Sequence, residues 1–154
     1  MTTTRDLKTL ESLRPKGMSR LLLLARRNFV LEISKLIEKS GNPIVPNSCL
    51  MLLPHIDLEG TRSTEIALRA GMSKQAVTQV TQQMEKAGLV QRKVDPLDAR
   101  ATLISFTEFG IDYLTDMHAV IDQIEQDLLG QLGEDQMRAL RSCLEFMAYD
   151  WLPT

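Results

Sequence analysis

The residues best suited to do chemistry lie between Ser73 and Lys86. At 100° per residue, Gln75, Thr78, Gln79, Gln82 and Lys86 fall on one side of a helix, and Ala76, Val77, Val80, Met84 and Ala87 on the other. The polar side is made of amides and a hydroxyl, with no acid near its middle. A glutamine amide can bond in bidentate fashion to the N6/N7 edge of adenine. A threonine can bond a base or touch the thymine methyl, and a helix of this width fits the major groove. The same residues would also make an ordinary solvated face, so the neighbouring elements have to decide between the two readings.

Around Gly71, small or apolar residues stand at Ile66, Ala67, Ala70, Met72, Val77 and Val80, the spacing at which two helices joined by a sharp turn pack closely. Ser63 is a suitable N-cap for a short helix through Arg69, and Ser73 for a second helix running to about Ala87 and stopped by Gly88. This resembles the helix-turn-helix of DNA-binding proteins, in which the second helix enters the major groove; the bland alternative is an αα-hairpin with no DNA role. Leu89 to Val94 and Ala101 to Phe106 then switch to short β-type segments with a polar tip between them, a hairpin. Outside this unit the period is helical. The spacing predicts a helix from about Met18 to Ser40, and another from Cys49 to Ile56, capped by Asn47 or Ser48 and kinked or stopped at Pro54. A long helix capped by Thr107 runs to about Gln131, and a last one starts near Glu134 after Gly133. Residues 1–16 read as a partly ordered polar arm.

The 154 residues leave room for one core, at about 150 residues per domain. No apolar run approaches the roughly 20 residues of a membrane span, and no signal-peptide pattern is visible, so the chain reads as cytoplasmic with no membrane partner. The formal charge is −2, but residues 1–60 carry +3, residues 61–100 carry +3 and residues 101–154 carry −8. A local basic surface is therefore hidden by an acidic C-terminal third. Cys49 and Cys143 form no CxxC or Cys/His pattern and read as reduced and buried. No phosphate loop, GxSxG or HExxH motif is present, so an enzyme is not expected, nor a cofactor. His118 with Asp122 at i+4 is the best metal candidate and is outweighed by a solvated helix face; no metal site is expected.

Asp95-Pro96-Leu97-Asp98-Ala99-Arg100, followed by Leu103, Ser105, Thr107 and Gly110, closely resembles the wing signature of the MarR family of bacterial winged helix-turn-helix transcriptional regulators. Glu85-Lys86-Ala87-Gly88-Leu89-Val90 is similar to that family's link from recognition helix to wing. Phe106 stands where leucine is commoner, a change of similar volume. The resemblance implies a mainly α fold with a small two-stranded β-wing. Residues 18–47 and 107–154 would be interleaving dimerisation helices, and residues 48–106 the winged helix-turn-helix lobe. The residues agree on one point: the helices at Met18–Ile37 and Met137–Trp151 carry more apolar face than such a lobe can cover.

The implied function is sequence-specific binding of double-stranded DNA by a homodimeric repressor on a pseudo-palindromic operator. In that picture Gln75, Thr78, Gln79 and Gln82 face bases. Ser73, Lys74, Arg92 and Lys93 contact phosphates. Arg100 reaches the minor groove, held by a charge-assisted hydrogen bond that Asp98 accepts. The bland alternative for Asp98 and Arg100 is a surface ion pair. The resemblance also implies a small aromatic or phenolic effector that relieves repression, and Arg26, Arg27, Met51 and His55 lie on helices able to border its pocket. Two other readings stand beside this one: a winged-helix module that docks on protein, and a thiol switch at Cys49, against which its apolar surroundings argue.

The wing and helix assignments predict distinct phenotypes. Arg100→Ala is expected to weaken binding to every duplex. Gln79→Ala should also relax base preference by roughly 1–3 kcal/mol at one position per half-site. Competition binding against single-base operator variants measures both, and unchanged binding by a folded Arg100→Ala protein would remove the wing assignment.

Overall fold

Three sharp helix stops organise the chain, and each is closed by backbone bonds that a glycine makes available. After α4 (Ser63–Ala70), Gly71 takes up φ +62; its N–H bonds Leu68 C=O while the Met72 N–H bonds Ala67 C=O. After α5 (Lys74–Lys86), Gly88 does the same at φ +75, with Gly88 N–H on Glu85 C=O and Leu89 N–H on Met84 C=O. This left-handed turn satisfies carbonyls that a helix end would otherwise orphan. An equivalent closure ends α2 (Met18–Lys39) at Gly41.

The computed structural model describes residues 4–151. In chain order it has α1 (Thr4–Leu13), α2, α3 (Asn47–Leu52), the two-residue strand β1 (Thr61–Arg62), α4, α5, β2 (Val90–Asp95), β3 (Asp98–Phe106), α6 (Glu108–Leu132) and α7 (Glu134–Glu145). Short 3-10 turns follow α1 and α3, and a wider turn over Phe146–Asp150 follows α7. The architecture is the expected mainly α winged helix. The sheet has one strand more than the expected hairpin, in the order β1-β3-β2 and antiparallel throughout, with Thr61 opposite Ile104 and Val90 opposite Phe106.

The core gathers Leu50, Leu52 and Leu53 from α3 and its 3-10 turn, Ile66 and Ala67 from α4, and Val77, Val80 and Met84 from α5. Leu89, Ile104 and Phe106 join them from the wing base. It continues without a break between α2, through Ile33 and Ile37, and α6, through Tyr113, Met117, Val120 and Ile124. The α6 spacing of 4, 3 and 4 keeps one face on the core. At Gly110 a Cβ would stand 1.9 Å from the Leu89 carbonyl oxygen, so only glycine lets α6 rest on the end of the helix-turn-helix.

Several expectations are corrected. Residues 4–13 of the supposed arm are helical, because Leu7, Leu10 and Leu13 recur every third residue among charges; residues 1–3 of the arm and 152–154 of the last segment lie outside the described residues. Arg62, not Ser63, occupies the N-cap of α4. Neither Asn47 nor Ser48 caps α3; its N-cap is Pro46, and the Asn47 amide oxygen accepts the Ser34 hydroxyl instead. Cys49 is buried but Cys143 is exposed, on a helix with no buried residue. No described helix is long and apolar enough to cross a membrane.

Tyr113 is wholly buried, and its hydroxyl has no hydrogen-bond partner among the described residues. Burial first, and the neighbouring Cys49 second, push its phenol up to about 12. A raised folded pKa contributes stability that is complete below the ordinary value near 10 and is lost as pH climbs towards about 12. Tyr113→Phe is therefore expected to be neutral or stabilising by about 1 kcal/mol at neutral pH, and to abolish the tyrosine-linked loss of stability in alkali. Urea unfolding of both proteins at neutral pH and at about pH 11 checks this.

Candidate nucleic-acid interface

Helix α5 is built to show one face. Val77, Val80, Thr81 and Met84 are buried, whereas Gln75, Thr78, Gln79 and Gln82 are exposed. The helix begins at Ser73, whose Oγ accepts the Ala76 N–H at 3.1 Å, the cap expected from the sequence. That bond uses a lone pair and leaves the hydroxyl proton at the exposed helix start. The Thr78 hydroxyl donates to the Lys74 carbonyl at 2.9 Å, so the side chain offers a methyl and an acceptor lone pair outward, with its donor already committed. Gln83, on the flank, turns inward instead, with Oε1 4.0 Å from Cys49 Sγ.

The cations divide into two groups. Arg92 Nε bonds Glu85 Oε1 at 3.0 Å, so of the expected phosphate contacts it is the one already held by an acid. Arg69 bonds Glu65 and, at 2.9 Å, both Asp57 oxygens; this pairing, helped by the Thr61 hydroxyl, holds the Asp57 carboxyl below the usual carboxylate range. Lys74, Lys93 and Arg100 are exposed and have no ion-pair partner among the described residues. These three stand at the start of α5 and on the two strands of the wing.

The expected Asp98–Arg100 side-chain bond is not what the wing contains. Asp98 Oδ1 accepts the Arg100 backbone N–H at 3.1 Å, and its other oxygen lies 3.7 Å from the Arg62 guanidinium. An aspartate two residues before an amide closes a local turn more readily than it spans to the side chain beyond. The buried acid is Asp95. Its Oδ1 accepts the Leu97 N–H at 2.8 Å and its Oδ2 the Arg62 Nε–H at 2.6 Å. The Leu97 amide first, and Arg62 second, hold this carboxyl below the usual range. Arg62 was not legible as a functional residue, since 33 positions separate it from Asp95 and its local pattern is that of a helix start.

The residues proposed to border a ligand are only partly brought together. Arg26, Arg27 and Met51 are exposed and His55 is half-buried. Burial first, then the charges of Arg26 and Arg69, lower the His55 pKa, which places Arg26 within electrostatic reach of the imidazole. Burial likewise raises the Cys49 thiol, with a smaller opposing effect from Ser48, the reverse of what a reactive thiolate needs. No group of three or more His, Cys, Asp or Glu residues among those described is arranged to hold a metal ion.

Comparison with known proteins gives one family. Residues 45–101 match the MarR family model. Over 98 residues the chain is 30% identical to the HTH-type transcriptional regulator TcaR of Staphylococcus aureus (strain Newman), a match covering 61% of this chain and 64% of that protein. The chain thus spans about 64% of the length of that relative. Among solved structures, a MarR transcriptional regulator from Methanosarcina mazei Go1 superposes with TM-score 0.68 at 22% identity, covering 84% of this chain and 92% of the other. CouR from Rhodococcus jostii RHA1, bound to p-coumaroyl-CoA, gives TM-score 0.67 at 21% identity, covering 90% and 96%. Both structural likenesses are of fold.

The Ser73 cap is open to a direct test. Ser73→Ala is expected to cost about 1 kcal/mol of stability and to fray the first turn of α5, and chemical denaturation with amide exchange at Ala76 reads both.

Proposed function

We propose that the chain, whose residues 45–101 match the MarR family model, is a transcriptional regulator of that family that binds double-stranded DNA in a sequence-specific way, as a homodimer on a pseudo-palindromic operator. The observation that carries this is the exposed amide and hydroxyl face of α5, Gln75, Thr78, Gln79 and Gln82, flanked by the unpaired cations Lys74, Lys93 and Arg100. Amides at helical spacing suit base edges in the major groove, and flanking cations suit phosphates. Ser73 adds its hydroxyl proton at the helix start. Arg92 joins the phosphate contacts by exchanging Glu85 for the backbone, and Arg100 enters the minor groove from a wing whose tip is shaped by Asp98.

Repression by the dimer follows from the same reading: a protein seated on an operator occludes it. Dimerisation is supported by apolar surface that this chain leaves open. Leu10 and Leu13 of α1 and Met18, Leu21 and Leu23 of α2 are at least half exposed, and α7 buries none of its own residues while Phe146 and Trp151 beyond it stand out. A second copy would cover these faces, with residues 18–47 and 107–154 as the dimerisation helices and residues 48–106 as the reading lobe. The effector reading draws on CouR, whose structure holds p-coumaroyl-CoA. Arg26 and Arg27 would face the anionic group of a small aromatic ligand, with Met51 and a neutral His55 beside its ring.

Purified protein selected against random duplexes at physiological salt tests the function. The expected result is enrichment of a near-palindrome with half-sites about one helical turn apart, affinity that falls with salt with a slope of about −0.9 per phosphate neutralised, and a sedimenting mass of twice 17.4 kDa. A folded protein that enriches no sequence, or a monomer, would overturn the corresponding part. Thermal-shift screening of aromatic acids, in which no stabiliser emerges at millimolar concentration, would remove the effector.

A further inference from the structure

Arg62 supplies the N-cap of α4 with its backbone, yet its side chain leaves the helix-turn-helix and reaches the wing. Its Nε and a terminal nitrogen both contact Asp95 Oδ2, at 2.6 and 2.5 Å, and that terminal nitrogen lies 3.7 Å from Asp98 Oδ2. The two acids in turn hold backbone: Asp95 Oδ1 takes the Leu97 N–H and Asp98 Oδ1 the Arg100 N–H. One guanidinium therefore anchors both carboxylates that shape the hairpin tip, and through them the segment that presents Arg100. Planar and fork-shaped, it is suited to this in a way a lysine ammonium is not.

Charge makes the arrangement more than scaffolding. Asp95 and Asp98 stand on the same hairpin as Lys93 and Arg100, the two wing cations without an acid partner among the described residues. Two uncompensated carboxylates on a surface that meets a polyanion would repel it at short range. Arg62 supplies the compensating charge from outside the hairpin, so neither Lys93 nor Arg100 is consumed in doing so.

Resting on the DNA-binding reading above, we infer that Arg62 is a positioning residue for the wing: by pairing with Asp95 and approaching Asp98 it fixes the hairpin tip that leads into Arg100 and offsets the acidic charge of the wing. It acts through Asp95 and makes no phosphate contact of its own. The sign of one substitution separates this role from simple electrostatics. Asp95→Asn removes a negative charge from the wing and, by Coulomb's law alone, should tighten DNA binding; loss of the anchor should weaken it.

The experiment measures fluorescence anisotropy of a labelled random-sequence duplex over a range of salt, and amide hydrogen exchange of the free protein, for the native chain, Arg62→Ala, Arg62→Lys, Asp95→Asn and the Arg62→Ala/Asp95→Asn double variant. Expected are a loss of affinity of at least about tenfold for Arg62→Ala, the scale of one charged hydrogen bond, a smaller loss for Arg62→Lys, and a loss rather than a gain for Asp95→Asn. The double variant should be no weaker than Arg62→Ala, and the salt slope should be unchanged. In free Arg62→Ala and Asp95→Asn, exchange at Leu97 and Arg100 should quicken while α6 keeps its protection. Tighter binding by Asp95→Asn with unchanged exchange overturns the inference, as does a salt slope shallower by about 0.9 in Arg62→Ala, which would make Arg62 a phosphate ligand. If the native protein binds no duplex, the regulator reading fails, and the exchange comparison alone decides whether Arg62 orders the wing.

Discussion

The arrangement of the molecule hangs on the junction where α6 meets the end of α5. Thr107 ties the two together: its N–H donates to Leu89 C=O at 3.1 Å, its hydroxyl donates to Gly88 C=O at 2.5 Å, and the same oxygen accepts the Gly110 N–H at 2.9 Å. One side chain thus caps α6 and fastens it to the turn that stops α5. The missing side chain at Gly110 admits the Leu89 carbonyl into the first turn of α6. The outward face of α5 and the axis of α6 are consequently set by one contact of backbone on backbone, and neither moves without the other.

The lobe treats its cations unequally, and the inequality follows from where acids stand. Arg62, Arg69 and Arg92 are drawn to Asp95, Asp57 with Glu65, and Glu85 in turn. Each of these pairings joins different elements or stiffens one: wing to α4, loop to α4, and β2 to α5. Lys74, Lys93 and Arg100 have no ion-pair partner among the described residues. The exposed pairs of Arg69 and Arg92 add little to stability; the effect of all three pairings is to sort structural cations from cations open to a ligand.

What was legible in the sequence follows from range. Ser73, Thr107, Gly71, Gly88 and Gly133 act within a few residues of themselves, and the cap or stop read at each is the one found. The partition of α5 into core and outward residues also held, because a helix wheel is local geometry. The misses are non-local or need a partner surface. Arg62 and Asp95 meet only once the sheet forms, and β1 is too short to carry a strand signal of its own. The pairing of Asp98 with Arg100 came with the family resemblance, whereas the folded wing offers Asp98 a backbone amide and a guanidinium from elsewhere. Cys143 read as buried for want of any disulfide or ligand pattern, and it is exposed on α7; the apolar stripe of that helix does not reveal whether the surface covering it belongs to the same chain. The helicity of residues 4–13 was hidden by their polarity, since three leucines at intervals of three are a thin signal among seven other residues, all of them polar or charged.

The long-range charge distribution gives the chain a direction. Residues 1–100 carry a formal +6 and residues 101–154 a formal −8, and most of those acids ride on α6 and α7, which depart from the lobe at Thr107. Five of that +6 lies in residues 1–47, on helices that include α2 packed against α6, so the lobe of residues 48–106 is +1 and the remainder of the chain −3. In the field of a polyanion such a body feels a weak net repulsion and only a slight torque, which favours approach by the lobe. Orientation of this kind acts over a Debye length, about 8 Å at physiological ionic strength, so it raises the fraction of encounters that arrive correctly aligned only a little and fades as salt is added.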